Sequence, residues 1–94
     1  PEVLLMDEPF GALDALTREE LQDESIEVFS RRRMTVLMIT HDVREAVRMA
    51  DSAVILESDR APDFFSIDLP RPRRLSSPGV AKLEEEILSI LMRR

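Results

Sequence analysis

Two continuous runs of apolar residues, each followed by polar residues, mark the first half of the chain. Residues 3–6 are all apolar and precede Asp7 and Glu8, and residues 36–39 are all apolar and lead, after one threonine, to His41. Continuous runs of this length are typical of parallel strands buried on both faces, because a half-exposed strand alternates instead. The pattern therefore predicts buried strands at residues 3–6, 35–40 and 52–56.

Helix predictions rest on apolar spacing and on capping residues at the helix starts. A first helix is predicted at residues 17–30, where Thr17 and Glu20 form a capping-box pattern that can satisfy two end amides. A second is predicted after Asp42, which forms another N-cap pair with Glu45. The apolar stripes of the two helices comprise Leu21, Val28 and Phe29 in the first and Val43, Ala46, Val47 and Ala50 in the second.

The last third of the chain predicts a short strand, a linker and a final helix. Polar residues predict a turn over residues 57–63, and the residues at 64–69 predict a short strand. Residues 70–74 contain two prolines and predict an extended linker, because proline fixes its own φ and restricts the residue before it. A helix over residues 78–92 is predicted, with Pro78 in its first turn. Its apolar stripe comprises Val80, Leu83, Ile87, Leu88 and Leu91.

The order strand, helix, strand, helix, strand predicts an α/β fold with one parallel sheet joined by right-handed crossovers. We expect a core over residues 1–57, a turn and a linker rich in proline and arginine over residues 58–77, and an amphipathic helix over residues 78–94. The linker's basic residues are expected to be solvated charges. They are Arg71, Arg73 and Arg74.

Composition and charge exclude several classes of function. The chain has 94 residues, which is room for one small domain, and its net charge of -6 argues against a nucleic-acid partner, which needs a basic surface. It contains no cysteine, so disulfides and thiolate metal sites are excluded. No apolar run approaches the roughly 18 residues that a membrane span needs. Any membrane role is therefore expected to act through a partner.

Polar side chains that follow two of the predicted strands form the candidate site. Asp7 and Glu8 end the first strand, and His41 follows the second. The carboxyl ends of parallel strands meet at one edge of a sheet, where α/β proteins bind ligands. Adjacent carboxylates repel each other unless a cation offsets them, which favours a Mg²⁺-dependent phosphate site. An ordinary strand-end turn and a structural histidine are the alternatives that these residues alone leave open.

Longer motifs around these residues resemble the ATPases of ATP-binding-cassette (ABC) transporters. Residues 3–9 (VLLMDEP) resemble the Walker B strand of that family, including the proline that follows it. Residues 11–14 (GALD) resemble its D-loop, and residues 40–42 (THD) resemble its switch-histidine segment. The resemblance covers residues 1–56 and implies a partial P-loop NTPase core with parallel strands and flanking helices, followed by a short hairpin, a linker and an amphipathic helix.

The resemblance also implies roles for four residues. Asp7 is expected to hold Mg²⁺ through a water molecule, and Glu8 is expected to be the catalytic base that activates the attacking water. His41 is expected to contact the γ-phosphate and to act in catalysis. Asp14 is expected to couple the two sites of an ATPase homodimer. The expected cofactors are ATP and Mg²⁺.

Two further segments resemble the nitrate, aliphatic sulfonate and taurine importers within this family, namely residues 17–24 (TREELQDE) and residues 68–73 (DLPRPR). Such an ATPase is expected to lie peripherally at the cytoplasmic face of a bacterial membrane. Its expected partners are a second ATPase subunit, transmembrane permease subunits and, indirectly, a periplasmic or lipid-anchored solute-binding protein.

The family's Gly-Lys-Ser/Thr phosphate loop and its Leu-Ser-Gly-Gly signature do not occur in these 94 residues, which open on a strand-like run without an initiator methionine. We therefore expect a fragment that runs from the Walker B strand onward and is inactive by itself.

Two alternatives compete with a transport ATPase. In a response-regulator receiver, Asp7 would accept a phosphoryl group and Thr40 would be the switch, but the next strand should then end in lysine, and it leads to Glu57. The other alternative is a catalytically inactive remnant of the same ancestry. Nucleotide binding by this chain alone distinguishes the remnant from an enzyme.

Overall fold

Mixed α/β structure extends over residues 2–74 and 76–92, which are the part of the chain that the computed structural model describes. Its elements are β1 (Val3–Asp7), α1 (Ala15–Arg32), β2 (Thr35–Ile39), α2 (Val43–Met49), β3 (Ser52–Ile55), β4 (Asp63–Ser66) and α3 (Pro78–Met92). They fall into two compact units, Pro1–His41 and Asp42–Arg94. Pro1, Leu75 and residues 93–94 lie outside the described residues, so the predictions for the core, the linker and the last helix are not compared with the structure at these positions.

The first unit contains a parallel pair of strands, as the apolar runs predict. β1 and β2 pair in register from Val3 opposite Thr35 to Asp7 opposite Ile39. Alternate residues of both strands are exposed and the residues between them are half-buried, so the prediction of burial on both faces is wrong for the pair. The apolar residues of the exposed face are Val3, Leu5, Leu37 and Ile39. The reason is that no described residue of this unit forms a layer over them.

Helix α1 begins two residues before its predicted start, because a different residue caps it. Asp14 is the N-cap, and its carboxylate accepts a hydrogen bond of 2.8 Å from the backbone amide of Thr17. The predicted capping box led by Thr17 is therefore wrong, and Thr17 lies inside the first turn. The helix ends at Arg32, and its C-cap residue Arg33 adopts a left-handed φ of 51° and donates its amide to the Phe29 carbonyl.

The buried face of α1 also differs from the predicted stripe. Gln22 is buried and Phe29 is half-buried, whereas Leu21 and Val28 are exposed. Apolar residues occur around much of this helix, and its spacing alone does not select the face that packs.

Replacing Asp14 by Ala should lower the thermal unfolding midpoint near neutral pH, since first-turn amides of α1 lose their acceptor. Hydrogen bonding from Thr17 lowers the pKa of Asp14 below its ordinary value of 3.8. A carboxylate with a lowered folded-state pKa stabilises the fold above its unfolded pKa, and this contribution is lost as the pH falls through the folded value. The gap between wild type and Asp14→Ala should therefore close in acid.

The control for this prediction is Asp14→Asn, because asparagine caps helices about as well as aspartate but does not titrate. It should retain most of the stability near neutral pH. A gap between wild type and Asp14→Ala that stays constant from neutral to strongly acidic pH would exclude the carboxylate as the cap.

The second unit contains an antiparallel hairpin rather than a third parallel strand. β3 pairs with β4 from Ser52 opposite Ser66 to Ile55 opposite Asp63. The predicted turn joins them and includes a hydrogen bond from the Arg60 amide to the Glu57 carbonyl. The prediction that residues 52–56 extend one parallel sheet is wrong for the described residues, in which β3 pairs with β4 and with no parallel strand. The short hairpin that the family resemblance implies is present.

The core of the second unit lies between α2 and α3, beside the hairpin. Its buried residues are Val47, Val80 and Ile87, and Val43, Ile55, Phe65, Leu69, Leu83 and Leu91 pack against them. The predicted Asp42 cap is confirmed, with its carboxylate accepting from the Glu45 amide at 3.2 Å. Helix α3 has its predicted bounds, although Leu88 of its predicted stripe is exposed. A bidentate ion pair between Arg44 and Glu84 also joins the two helices.

Arg73 is the largest departure from the predicted solvated linker. Its exposed fraction is 6%, and its guanidinium donates to the carbonyls of Val47, Ala50, Ile67 and Leu69. Burial lowers the pKa of Arg73 from its usual range. The segment between β4 and α3 is therefore bound to the end of α2 in this unit.

No helix among residues 2–74 and 76–92 is both long enough and apolar enough to cross a membrane.

Candidate functional site

Glu8 lies at the carboxyl end of β1, where the chain leaves the sheet. Its backbone amide donates to the Ile39 carbonyl at 2.7 Å, which extends the parallel ladder by one bond. Its φ of 47° is left-handed, a conformation that non-glycine residues seldom adopt and that turns the chain sharply at this point. Strained residues of this kind concentrate at functional sites.

The Glu8 carboxylate is bound to His41 by two contacts. Oε1 of Glu8 accepts from the His41 backbone amide at 2.9 Å and lies 2.7 Å from Nδ1 of the imidazole. The Glu8 side chain is 36% exposed and that of His41 is 84% exposed, so the pair is open to solvent. The fold thus joins two polar strand ends that are 33 residues apart in the chain, as the parallel pairing predicts.

The contact determines where the imidazole carries its proton. An ionised carboxylate only accepts hydrogen bonds, so while Glu8 is ionised this contact requires a proton on Nδ1 of His41. In the neutral ring Nε2 is then an acceptor. Donation from Nε2 to an oxyanion, while Nδ1 remains on Glu8, requires the ring to carry both protons.

Asp7 precedes this pair on β1 and is exposed, on the same face of the strand as Val3 and Leu5. Residues 2–74 and 76–92 contain no cluster of three or more histidine, cysteine or acidic side chains that could hold a metal. A single exposed carboxylate fits the way proteins bind Mg²⁺ beside a phosphate ligand, because the ion keeps most of its waters and takes few protein ligands.

The loop from Glu8 to Asp14 contains a contact that the sequence analysis missed. The Arg18 guanidinium donates through Nε to the Phe10 carbonyl at 3.2 Å and through Nη2 to the Leu13 carbonyl at 2.6 Å. A signal for it exists in the sequence, since Arg18 stands four residues after the capping Asp14. That spacing places its side chain on the first turn, near the preceding loop.

The chain is similar over its whole length to ATP-binding proteins of bacterial importers, although no protein-family profile matches it. It is 50% identical over 94 residues to the aliphatic sulfonates import ATP-binding protein of Shigella flexneri serotype 5b (strain 8401). It is 49% identical over the same length to the protein of that name from Escherichia coli (strain K12). In both cases all of this chain is matched, and it spans 37% of the relative's length.

The resemblance seen in the Walker B, D-loop and switch-histidine motifs is thus confirmed by matches that continue to the end of the chain. Identity near one half over 94 aligned residues also includes the C-terminal segments that the motifs do not cover. This chain is therefore a relative of the ATP-binding proteins named for aliphatic sulfonate import.

Proposed function

We propose that this chain is the part of an ATP-hydrolysing ABC importer subunit that runs from the Walker B strand onward. The observation that carries the proposal is the contact between Glu8 and His41 at the carboxyl ends of paired parallel strands. A carboxylate held there can accept the proton of a water molecule, and an adjacent imidazole can bind an oxyanion. These are the two tasks that hydrolysis of a phosphoanhydride requires.

In the proposed reaction, a water oxygen forms a bond to the γ-phosphorus of ATP. The bond between the γ-phosphorus and the bridging oxygen breaks, which releases ADP and phosphate. Glu8 accepts the proton of the attacking water, and the His41 amide keeps the Glu8 carboxylate oriented. His41 donates from Nε2 to the γ-phosphate in its doubly protonated form. Asp7 would bind a water molecule coordinated to the Mg²⁺ that accompanies ATP. When bound, Mg²⁺ would neutralise part of the phosphate charge.

The wider roles are proposals that the relatives' names support. Their names specify import of aliphatic sulfonates, which favours an aliphatic sulfonate, a class that includes taurine, over nitrate as the solute. A homodimer coupled through Asp14, permease subunits, a solute-binding protein and a position at the cytoplasmic face of the membrane complete the proposal. The division into a core over residues 1–57, a linker and a C-terminal helix stays a prediction.

A chimera tests the proposal directly. These 94 residues replace the matching segment of the Escherichia coli (strain K12) relative, which supplies the remaining 63% of that protein's length. The chimera should hydrolyse ATP in the presence of Mg²⁺, and cells that carry it in place of the native gene should take up a labelled alkyl sulfonate. A folded chimera that binds ATP without hydrolysing it would instead support the inactive remnant.

Replacing His41 by Ala in the chimera should lower kcat by about 10²-fold or more, because loss of one preorganised donor to a developing oxyanion costs that much. The affinity for ATP should fall only modestly, since other contacts bind the nucleotide. Steady-state hydrolysis and equilibrium nucleotide binding measure the two effects separately. A variant that unfolds would indicate a structural role for His41, and a folded variant that turns over normally would rule out a role in catalysis.

A further inference from the structure

The loop between β1 and α1 consists of consecutive tight turns that connect Glu8 to Asp14. The Gly11 amide donates to the Glu8 carbonyl and the Leu13 amide donates to the Phe10 carbonyl, both at 3.3 Å. These bonds are long compared with the usual 2.9–3.0 Å. The loop's own hydrogen bonds therefore constrain its shape only weakly, and other contacts must determine it.

Two contacts from outside the loop provide that constraint. The Phe10 side chain is buried, with 6% exposed, and its burial restrains the middle of the loop. Arg18 donates to the carbonyls of both Phe10 and Leu13, so its planar guanidinium spans the second turn from one end to the other. A rigid fork that binds two carbonyls determines their separation, which a flexible ammonium group cannot do.

The loop passes directly beside the carboxylate of Glu8. A methyl group placed on Gly11 would lie 3.8 Å from Oε2 of Glu8, which is ordinary van der Waals contact. The oxygen Oε1 of the same carboxylate is bound to His41. Oε1 of the carboxylate thus faces His41, and Oε2 lies on the side of Gly11 with room for a methyl group between them.

We propose that Arg18 is a positioning residue for the reaction of Glu8. It holds the turn at residues 10–13 in place, and this fixes the position of Gly11 on the Oε2 side of the Glu8 carboxylate. The inference rests on the proposed function, because it assigns Arg18 a role in the same site. A displaced loop would leave Glu8 bound to His41 but free to tilt away from the water it activates.

The test compares Arg18→Met and Arg18→Lys in the chimera, with Arg31→Met as the matched control on the same helix. Arg31 is 70% exposed and pairs only loosely with Glu27, at 3.6 Å. Arg18→Met should lower kcat about 10- to 100-fold with the KM for ATP nearly unchanged, because small displacements of catalytic groups cost rate and not binding. The kcat of Arg18→Lys should remain well below that of wild type, and the kcat of Arg31→Met should equal that of wild type.

A second measurement does not depend on activity. Hydrogen exchange at the amides of Gly11 and Leu13 should become faster in Arg18→Met and stay unchanged in Arg31→Met. Unchanged exchange would overturn the proposal whether or not the chimera hydrolyses ATP. A lower melting temperature with normal kcat per nucleotide site would also overturn it, because Arg18 would then be structural only. If the unsubstituted chimera is inactive, the proposed function fails, and with it the role assigned to Arg18.

Discussion

Replacing Glu8 by Gln in the chimera is expected to lower kcat for ATP hydrolysis by about 10²–10⁴, the range that a general base contributes. Glutamine has the shape of glutamate and its carbonyl oxygen can still accept from the His41 amide, which donates to Glu8 at 2.9 Å. An amide is not basic enough to take a proton from water, so the chemical step loses its acceptor. Steady-state and single-turnover hydrolysis measure the loss.

The binding of ATP should persist in Glu8→Gln, since the substitution leaves the polarity and volume of the site almost unchanged. Glu20→Gln is the matched control, because Glu20 is an exposed residue of α1 and the same chemical change there should have no effect on turnover. Turnover of Glu8→Gln within a few-fold of wild type would rule out Glu8 as the base. Equal losses in both variants would indicate a general effect of charge.

The largest effect on stability is expected from Arg73→Met, which should destabilise the fold by about 2–4 kcal/mol. The buried guanidinium donates hydrogen bonds to four backbone carbonyls, those of Val47, Ala50, Ile67 and Leu69, and the substitution removes all of these bonds. Each buried polar group that loses its partner costs about 1–3 kcal/mol, and water can reach some of these carbonyls in the variant. Methionine fills much of the same volume, so the loss of hydrogen bonds dominates.

Arg74→Met is the matched control for this prediction, because Arg74 is the exposed neighbour of Arg73. This replacement should lower the free energy of unfolding by less than about 0.5 kcal/mol. Chemical denaturation of the chimera, followed by circular dichroism, compares the two variants. Arg73→Lys should resemble Arg73→Met, since a single ammonium group cannot bind carbonyls on both sides. Equal midpoints for the Arg73 and Arg74 variants would show that the buried contacts contribute nothing to stability.

Features that depend on neighbours in the sequence were predictable. The apolar runs of β1 and β2, the Asp42 cap and both ends of α3 agree with the structure. Each depends on spacing or on a side chain that reaches its own backbone a few residues away. The proximity of Glu8 and His41 was predictable for a related reason, since parallel strands place their carboxyl ends at one edge whatever else surrounds them.

Features that depend on which segments meet were not predictable. Asp14 and Thr17 are both good capping residues, and the path of the preceding loop decides that Asp14 caps α1. The apolar sequence of β3 suits either kind of pairing, and the turn after it brings β4 back as an antiparallel neighbour. The carbonyls bound by Arg73 come from the end of α2 and the exit of β4.

The sequence by itself determined most of the strands and helices, the candidate residues Asp7, Glu8 and His41 and the resemblance to importer ATPases, because all three depend on local pattern and motif. Tertiary structure alone decided that one oxygen of Glu8 accepts both from the His41 amide and from its imidazole, and that Arg18 and Arg73 serve as donors to backbone carbonyls. A hydrogen bond needs atoms within about 3 Å in a specific orientation. Only the folded chain brings distant residues to that separation.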